Sequence, residues 1–154
     1  MEKKTIACLS VRQPWASLIV HGIKLIENRT FFIKNREMFV IHAGKTWGKD
    51  EQHAYEQLFQ IAIEMGDKWR QDILYRSRSM LGGFVGVARL RSCVGEKEWY
   101  ADGGGAFDGR TNWFVGPVGW YFTGARAFPF LVPYRGQQGV FRVPVGHVPG
   151  LVAV

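Results

Sequence analysis

The sequence predicts an α+β fold, a small β-barrel or curled sheet with helices packed at one side. Three observations predict it. At least five short apolar runs of strand length are punctuated by glycine and proline, and they dominate the second half of the chain. Helical patterning is confined to three stretches in the first half. The 154 residues match the commonest size of one domain and show no internal repeat or low-complexity segment. We therefore expect one domain over 1–154, with 144–154 as a C-terminal tail.

Each element follows from local pattern. Thr5 to Ser10 is a short apolar strand. Pro14 suits the first turn of a helix, because its missing N–H has no partner there anyway. That helix runs through Trp15-Ala16-Ser17-Leu18-Ile19-Val20 and stops at Gly22. Lys24 to Thr30 turns strand-like, and Met38 to His42 is a further strand ended by Ala43-Gly44. Asp50 to Met65 carries an apolar stripe at Ala54, Leu58, Ile61, Ala62 and Met65. Gly66 breaks it, and Asp67 is placed to cap a helix over Lys68 to Ser77. Gly83 to Cys93 alternates as a long strand with a wetter face at its end, at Arg89 and Arg91. Glu96 to Asn112, with Gly103-Gly104-Gly105, reads as a loop. Val118 to Phe130 is strand-rich but interrupted by Pro129 and Pro133, and Gly139 to Val143 is a last strand.

Composition narrows the class. Hydrophobic residues make up 47% of the chain, which argues against disorder. The two cysteines, Cys8 and Cys93, are too few for a disulfide framework, lack metal-site spacing and fit a reducing cytoplasm. No motif for a cofactor or metal is present. No apolar run reaches the roughly 18 residues of a membrane span, and Ile6 to Leu9 is too short for a signal peptide. Twenty Lys and Arg face thirteen Asp and Glu, for a net charge of +7. Such a balance attracts polyanions, and it also serves plain solubility.

The chemistry sits in five stretches. Ser10 to Trp15 joins a strand to a helix start, where Arg12 offers a fork for phosphate and Gln13 a two-way amide for a base edge. The alternative is that Arg12 pairs with an internal acid and Trp15 is core. Between Gly22 and Arg29, a regular strand puts Glu27 and Arg29 on one face as an ion pair, and Lys24 needs a bend to join them. Ile41 to Lys45 ends a strand with His42, two small residues and Lys45; His42 can stack on a base or be held by hydrogen bonds. Trp113 to Trp120 interleaves aromatics with glycines, for stacking if exposed and core filling if buried. Pro133 to Phe141 is a polar turn with one Arg and two Gln, of which Gln138 leads into the last strand.

Leu9 to Ala16, Gly22-Ile23-Lys24 with Glu27-Asn28-Arg29, Ile41 to Lys45, Gly86 to Leu90, Gly116 to Trp120 and Gly136 to Phe141 together resemble the ASCH family. Several ordered blocks over Ile6 to Val143 make the resemblance specific. It implies a PUA-like β-barrel in a superfamily that binds RNA and modified nucleobases. It also implies that the Gly-x-Lys-x-x-Glu-x-Arg signature, here Gly22, Lys24, Glu27 and Arg29, lines a cleft between barrel and helix. The expected function is binding of RNA, another nucleic acid or a nucleotide, through Arg12, Gln13, Lys24, Glu27, Arg29, His42, Lys45, Trp113 and Gln138.

The resemblance also includes enzymes. One branch removes the acyl group of N4-acetylcytidine with the signature lysine, a threonine three residues later and a glutamate from a later strand. Here Lys24 matches, Glu27 stands in the threonine's place with Thr30 beyond it, and the nearest later acid is Glu96. Catalysis by Lys24 and Glu27 on a modified nucleoside, or ribonuclease activity in the same cleft, is the alternative expectation.

Overall fold

The computed structural model describes residues 4–101 and 113–151. Its elements are β1 (Thr5–Val11), α1 (Trp15–Val20), β2 (Ile26–Arg29), β3 (Met38–Ala43), α2 (Lys49–Glu64), α3 (Lys68–Ser77), β4 (Gly83–Gly95), α4 (Glu96–Ala101), β5 (Val118–Pro133) and β6 (Val140–Pro144). The strands form one mixed sheet in the order β2-β5-β4-β3-β1-β6, with only β1 and β3 parallel.

The central strands are apolar on both faces, because both faces are covered. One face carries Leu9, Ile41, Leu90, Trp120 and Phe122 and packs on α1. The other carries Cys8, Val40, Phe84 and Val87 and lies under Val145, Val148 and Leu151. The 144–154 tail thus starts on β6, turns through a 3-10 segment at Val145–His147 and buries Val148; residues 152–154 lie outside the described region. A third, smaller cluster joins Leu18 of α1 to Tyr55 and Ala62 of α2 and to Ile73 and Leu74 of α3.

The expected barrel does not close as a ladder. β1 already has β3 on one side and β6 on the other, so β2 and β6 remain as edges. Closure comes from a side chain instead. Arg29 of β2 donates from Nη2 to the Ser10 carbonyl of β1 at 2.6 Å. Four strand steps separate β2 from β1, which in a flat sheet is about 19 Å at ~4.8 Å per step. One arginine bridges them only because the sheet curls back on itself.

Three further expectations need correction. Residues 96–101 are helical: Glu96-Lys97-Glu98 and Ala101 favour helix, and Trp99 is buried, stacked on Phe114 at 4.4 Å. The Gly103-Gly104-Gly105 part of that predicted loop lies outside the described residues. β5 runs unbroken through Pro129, which falls where the β4 pairing skips from Ala127 to Val132 and needs no N–H donor. On α2 the inward stripe is the buried Glu51, Tyr55 and Ala62 with the partly buried Leu58 and Phe59, while Ile61 and the capping Met65 are exposed. The two rings bury more area than Ile61 and Met65, and they set the rotation of the helix. Asp67 caps α3 as expected, accepting from Arg70 N at 3.0 Å.

Burial pushes the Cys8 thiol up to about 12. Iodoacetamide at mildly alkaline pH is expected to leave Cys8 unmodified in the native protein and to label it after unfolding in urea. Native-state labelling at the rate of a free thiol would contradict this core.

Candidate functional site

The site begins with one carboxylate. In register Glu27 lies opposite Trp120 and Arg29 opposite Val118, both residues of the inner cluster, so Glu27 and Arg29 point into the curl. Their ion pair forms as expected, Arg29 Nη2 to Glu27 Oε2 at 2.9 Å. Lys24 joins from before the strand. The Leu18 carbonyl of α1 accepts from both Ile23 N and Lys24 N, which bends the chain inward. Lys24 Nζ then donates to the Ile26 carbonyl and to Glu27 Oε1, the latter at 3.2 Å. Burial pulls the Lys24 ammonium below the ordinary lysine value, and the Glu27 charge and hydrogen bond oppose it.

Around this trio opens a cleft of about 980 Å³. It is lined by the ends of β1, β2 and β3, by Thr46 and Gly82, and by the 134–139 turn. Among its lining residues are the cations Arg12, Lys24, Arg29, Lys45 and Arg135, against Glu27 as the one acid. Their exposure is graded. Arg12, Lys45 and Arg135 are exposed at the mouth, whereas the Lys24 and Glu27 side chains are 5% and 12% exposed. Arg12 also reaches Glu51 of α2 at 3.4 Å, and Glu51 in turn accepts from Gly48 N at 2.7 Å.

Two glycines make room for the basic groups. Gly82, at φ +78°, lies under the Lys45 stem, and a Cβ there would meet Cγ at 2.9 Å. Gly136 lies over His42, where a Cβ would collide with the imidazole ring. His42 Nε2 is 2.6 Å from the Tyr134 carbonyl. A carbonyl only accepts, so Nε2 carries a proton and donates it there. Two buried polar atoms of cleft residues have no partner among the described residues, His42 Nδ1 and Arg29 Nε.

Seven of the nine sequence-predicted residues line this cleft: Arg12, Lys24, Glu27, Arg29, His42, Lys45 and Gln138. Gln13 does not. It is fully buried, accepts from Ser17 N at 2.9 Å and donates to Ser17 Oγ and the Met80 carbonyl, so its amide is consumed in seating α1. Trp113 is also elsewhere; it packs against the helical cluster, and its carbonyl accepts from Asn28 Nδ2 at 2.9 Å. Trp15 and Tyr134 are the aromatic residues at the cleft. Sequence reasoning left both of them off the site, along with Arg135, Gln137 and Asn28. The polar, glycine-punctuated run 134–139 was the visible signal for three of these. Thr30 and Glu96, which would complete the acyl-removing machinery, do not line the cleft.

ZmASCH from Zymomonas mobilis, solved as a serine-to-alanine variant, superposes with a TM-score of 0.51, covering 96% of this chain and 94% of its own at 14% identity. This chain has the ASCH fold. No family model matches the sequence. Activating signal cointegrator 1 of Mus musculus and of Homo sapiens is 27% identical over 93 residues, 60% of this chain. The matched segment is 15% of the length of each of these relatives. In this ASCH fold the six-stranded sheet is curled but open, and the open seam between β2 and β1 is where the cleft lies.

Glu27→Ala would leave Lys24 and Arg29 facing each other with no counter-ion between them. A loss of about 3 kcal/mol in urea unfolding is expected. A loss below about 1 kcal/mol, the worth of an exposed pair, would show that the trio does not hold the seam.

Proposed function

We propose that this chain binds single-stranded nucleic acid, RNA in the first instance, by taking a base into the cleft while phosphates stay at its mouth. The observation that carries this reading is the graded charge. Exposed cations at the mouth suit phosphate, which keeps part of its hydration there. The floor is charge-compensated and polar, which suits an uncharged, hydrogen-bonding group. Glu27 accepts, the Lys24 ammonium has one of its three donors left over, and Arg29 Nε–H donates. Trp15, partly buried at the start of α1 and lining the cleft, is the stacking candidate. The volume is in the range of small-ligand sites. The names and fold of the relatives are consistent with this reading without assigning a ligand.

Hydrolysis of a modified nucleoside is the second outcome of the same experiment. Its partial support is that burial lowers the Lys24 ammonium beside a carboxylate.

The test is fluorescence anisotropy with a labelled single-stranded RNA across a salt series, together with mass-spectrometric turnover of N4-acetylcytidine. Lys24→Ala and Arg29→Ala are each expected to weaken binding by about 1–3 kcal/mol, and binding is expected to fall steeply with salt. Absent or salt-independent binding would contradict the proposal. Turnover that needs Lys24 and Glu27 would make the cleft a hydrolase site instead.

A further inference from the structure

We infer that the outer face of the sheet carries a second phosphodiester-binding surface, formed by Arg89, Arg91 and Arg126. Val87 belongs to the outer cluster, and Arg126 lies directly opposite it across β4 and β5. Arg89 is two residues beyond Val87 on the same strand, so it shares that face. Arg91 follows at a bulge, where Leu90 and Ser92 face the adjacent residues Phe122 and Tyr121. All three arginines are exposed. The arginines lie on the β4 and β5 part of that face, and the Arg126 guanidinium borders the tail, where a Cβ on Gly150 would lie 3.4 Å from Nη2.

Arg70, Arg76 and Arg142 hold ion pairs with Asp67, Asp72 and Glu37, and Arg36 and Arg78 donate to the Ile33 and Tyr75 carbonyls. Arg89, Arg91 and Arg126 form no ion pair among the described residues, and Arg126 sits over the Phe128 ring at 5.6 Å. Three uncompensated positive charges on one rigid sheet face repel one another, and a polyanion relieves that repulsion. Arginine's planar fork matches the paired oxygens of a phosphodiester, and a strand fixes where each fork starts.

The surface is separate from the cleft. Arg89 and Arg126 lie on the face of Val87, and Glu27 lies on the opposite face, across from Trp120 of the inner cluster. A nucleotide in the cleft therefore does not reach it, whereas a longer strand that wraps the sheet does. The choice of nucleic acid as the polyanion rests on the cleft reading, while the surface itself does not depend on it.

The test uses the full chain with Arg89→Gln, Arg91→Gln and Arg126→Gln combined, and a companion carrying lysine at all three positions. The probes are a labelled single-stranded oligoribonucleotide titrated across a salt series, a nucleoside monophosphate and phosphatidylserine vesicles. We expect the glutamine variant to bind the oligonucleotide about tenfold or more weakly at low salt. Its log affinity against log salt slope should be shallower by about 2, from ~0.7 per phosphate contact over three contacts. Mononucleotide affinity should be unchanged, and the lysine variant should keep most of the slope. Unchanged oligonucleotide affinity and slope in the glutamine variant would overturn the inference and leave the cleft reading standing. Oligonucleotide binding that depends on the arginines, with no mononucleotide binding by the parent protein, would support the surface and remove the cleft. Loss of vesicle binding with RNA binding intact would assign the arginines to a membrane and overturn the inference.

Discussion

Glu27 is the constraint on which the site depends. Its two oxygens hold two cations, Lys24 at 3.2 Å and Arg29 at 2.9 Å, within a buried setting where neither cation is tolerable alone. Each cation then does a second job with its remaining donors. Lys24 fixes the start of β2 through the Ile26 carbonyl, and Arg29 crosses the seam to the Ser10 carbonyl. The carboxylate therefore couples the path of one edge strand to the curl of the whole sheet. A hydrophobic replacement of the trio would fill the same space and lose the crossing, because no apolar side chain can bond to a strand carbonyl.

An open seam has a functional consequence that a closed barrel lacks. Backbone pairing between β2 and the opposite edge would fill the gap with ladder hydrogen bonds and leave no cavity there. Side-chain closure leaves room beside the bridging arginine, and the 134–139 turn and the Thr46 region wall that room in. The glycines at 82 and 136 belong to the same design, since a Cβ at either would press on Lys45 or His42. The tethering of the 134–139 turn is equally local: Ser10 Oγ donates to the Gln137 carbonyl at 2.5 Å, and Ser10 N donates to the Gly139 carbonyl at 3.1 Å. Ser10 thus anchors both the seam and the wall of the cleft.

Much of this was legible in the sequence where the signal was local. The pairing of Glu27 with Arg29 follows from strand alternation alone, and the Asp67 cap from a residue type at a helix start. The ASCH resemblance added Lys24, whose inward bend depends on the Leu18 carbonyl of α1 and has no local signature. Gln13 was expected at the ligand on its amide chemistry, but it lies just before α1 and bonds to Ser17 N and Oγ, tying the helix start to its first turn. The expected α2 stripe held at Leu58 and Ala62 but not at Ile61 and Met65, for a tertiary reason: the helix turns Tyr55 and Phe59 toward its small cluster, and Ile61 and Met65 are left outside. Whether a barrel closes is decided by which strand takes the last free edge, and β6 taking the edge of β1 is a long-range event that no window of sequence displays.

The central claim is the division of labour between a compensated floor and a cationic mouth. The most direct measurement follows backbone amide and arginine side-chain NMR signals while inorganic phosphate, the common ribonucleosides and their monophosphates are titrated separately. The account predicts that nucleosides without phosphate shift Glu27, Asn28 and the Arg29 Nε–H, while phosphate alone shifts Arg12, Lys45 and Arg135. Phosphate alone shifting the Arg29 Nε–H, with nucleosides leaving the floor unmoved, would contradict it.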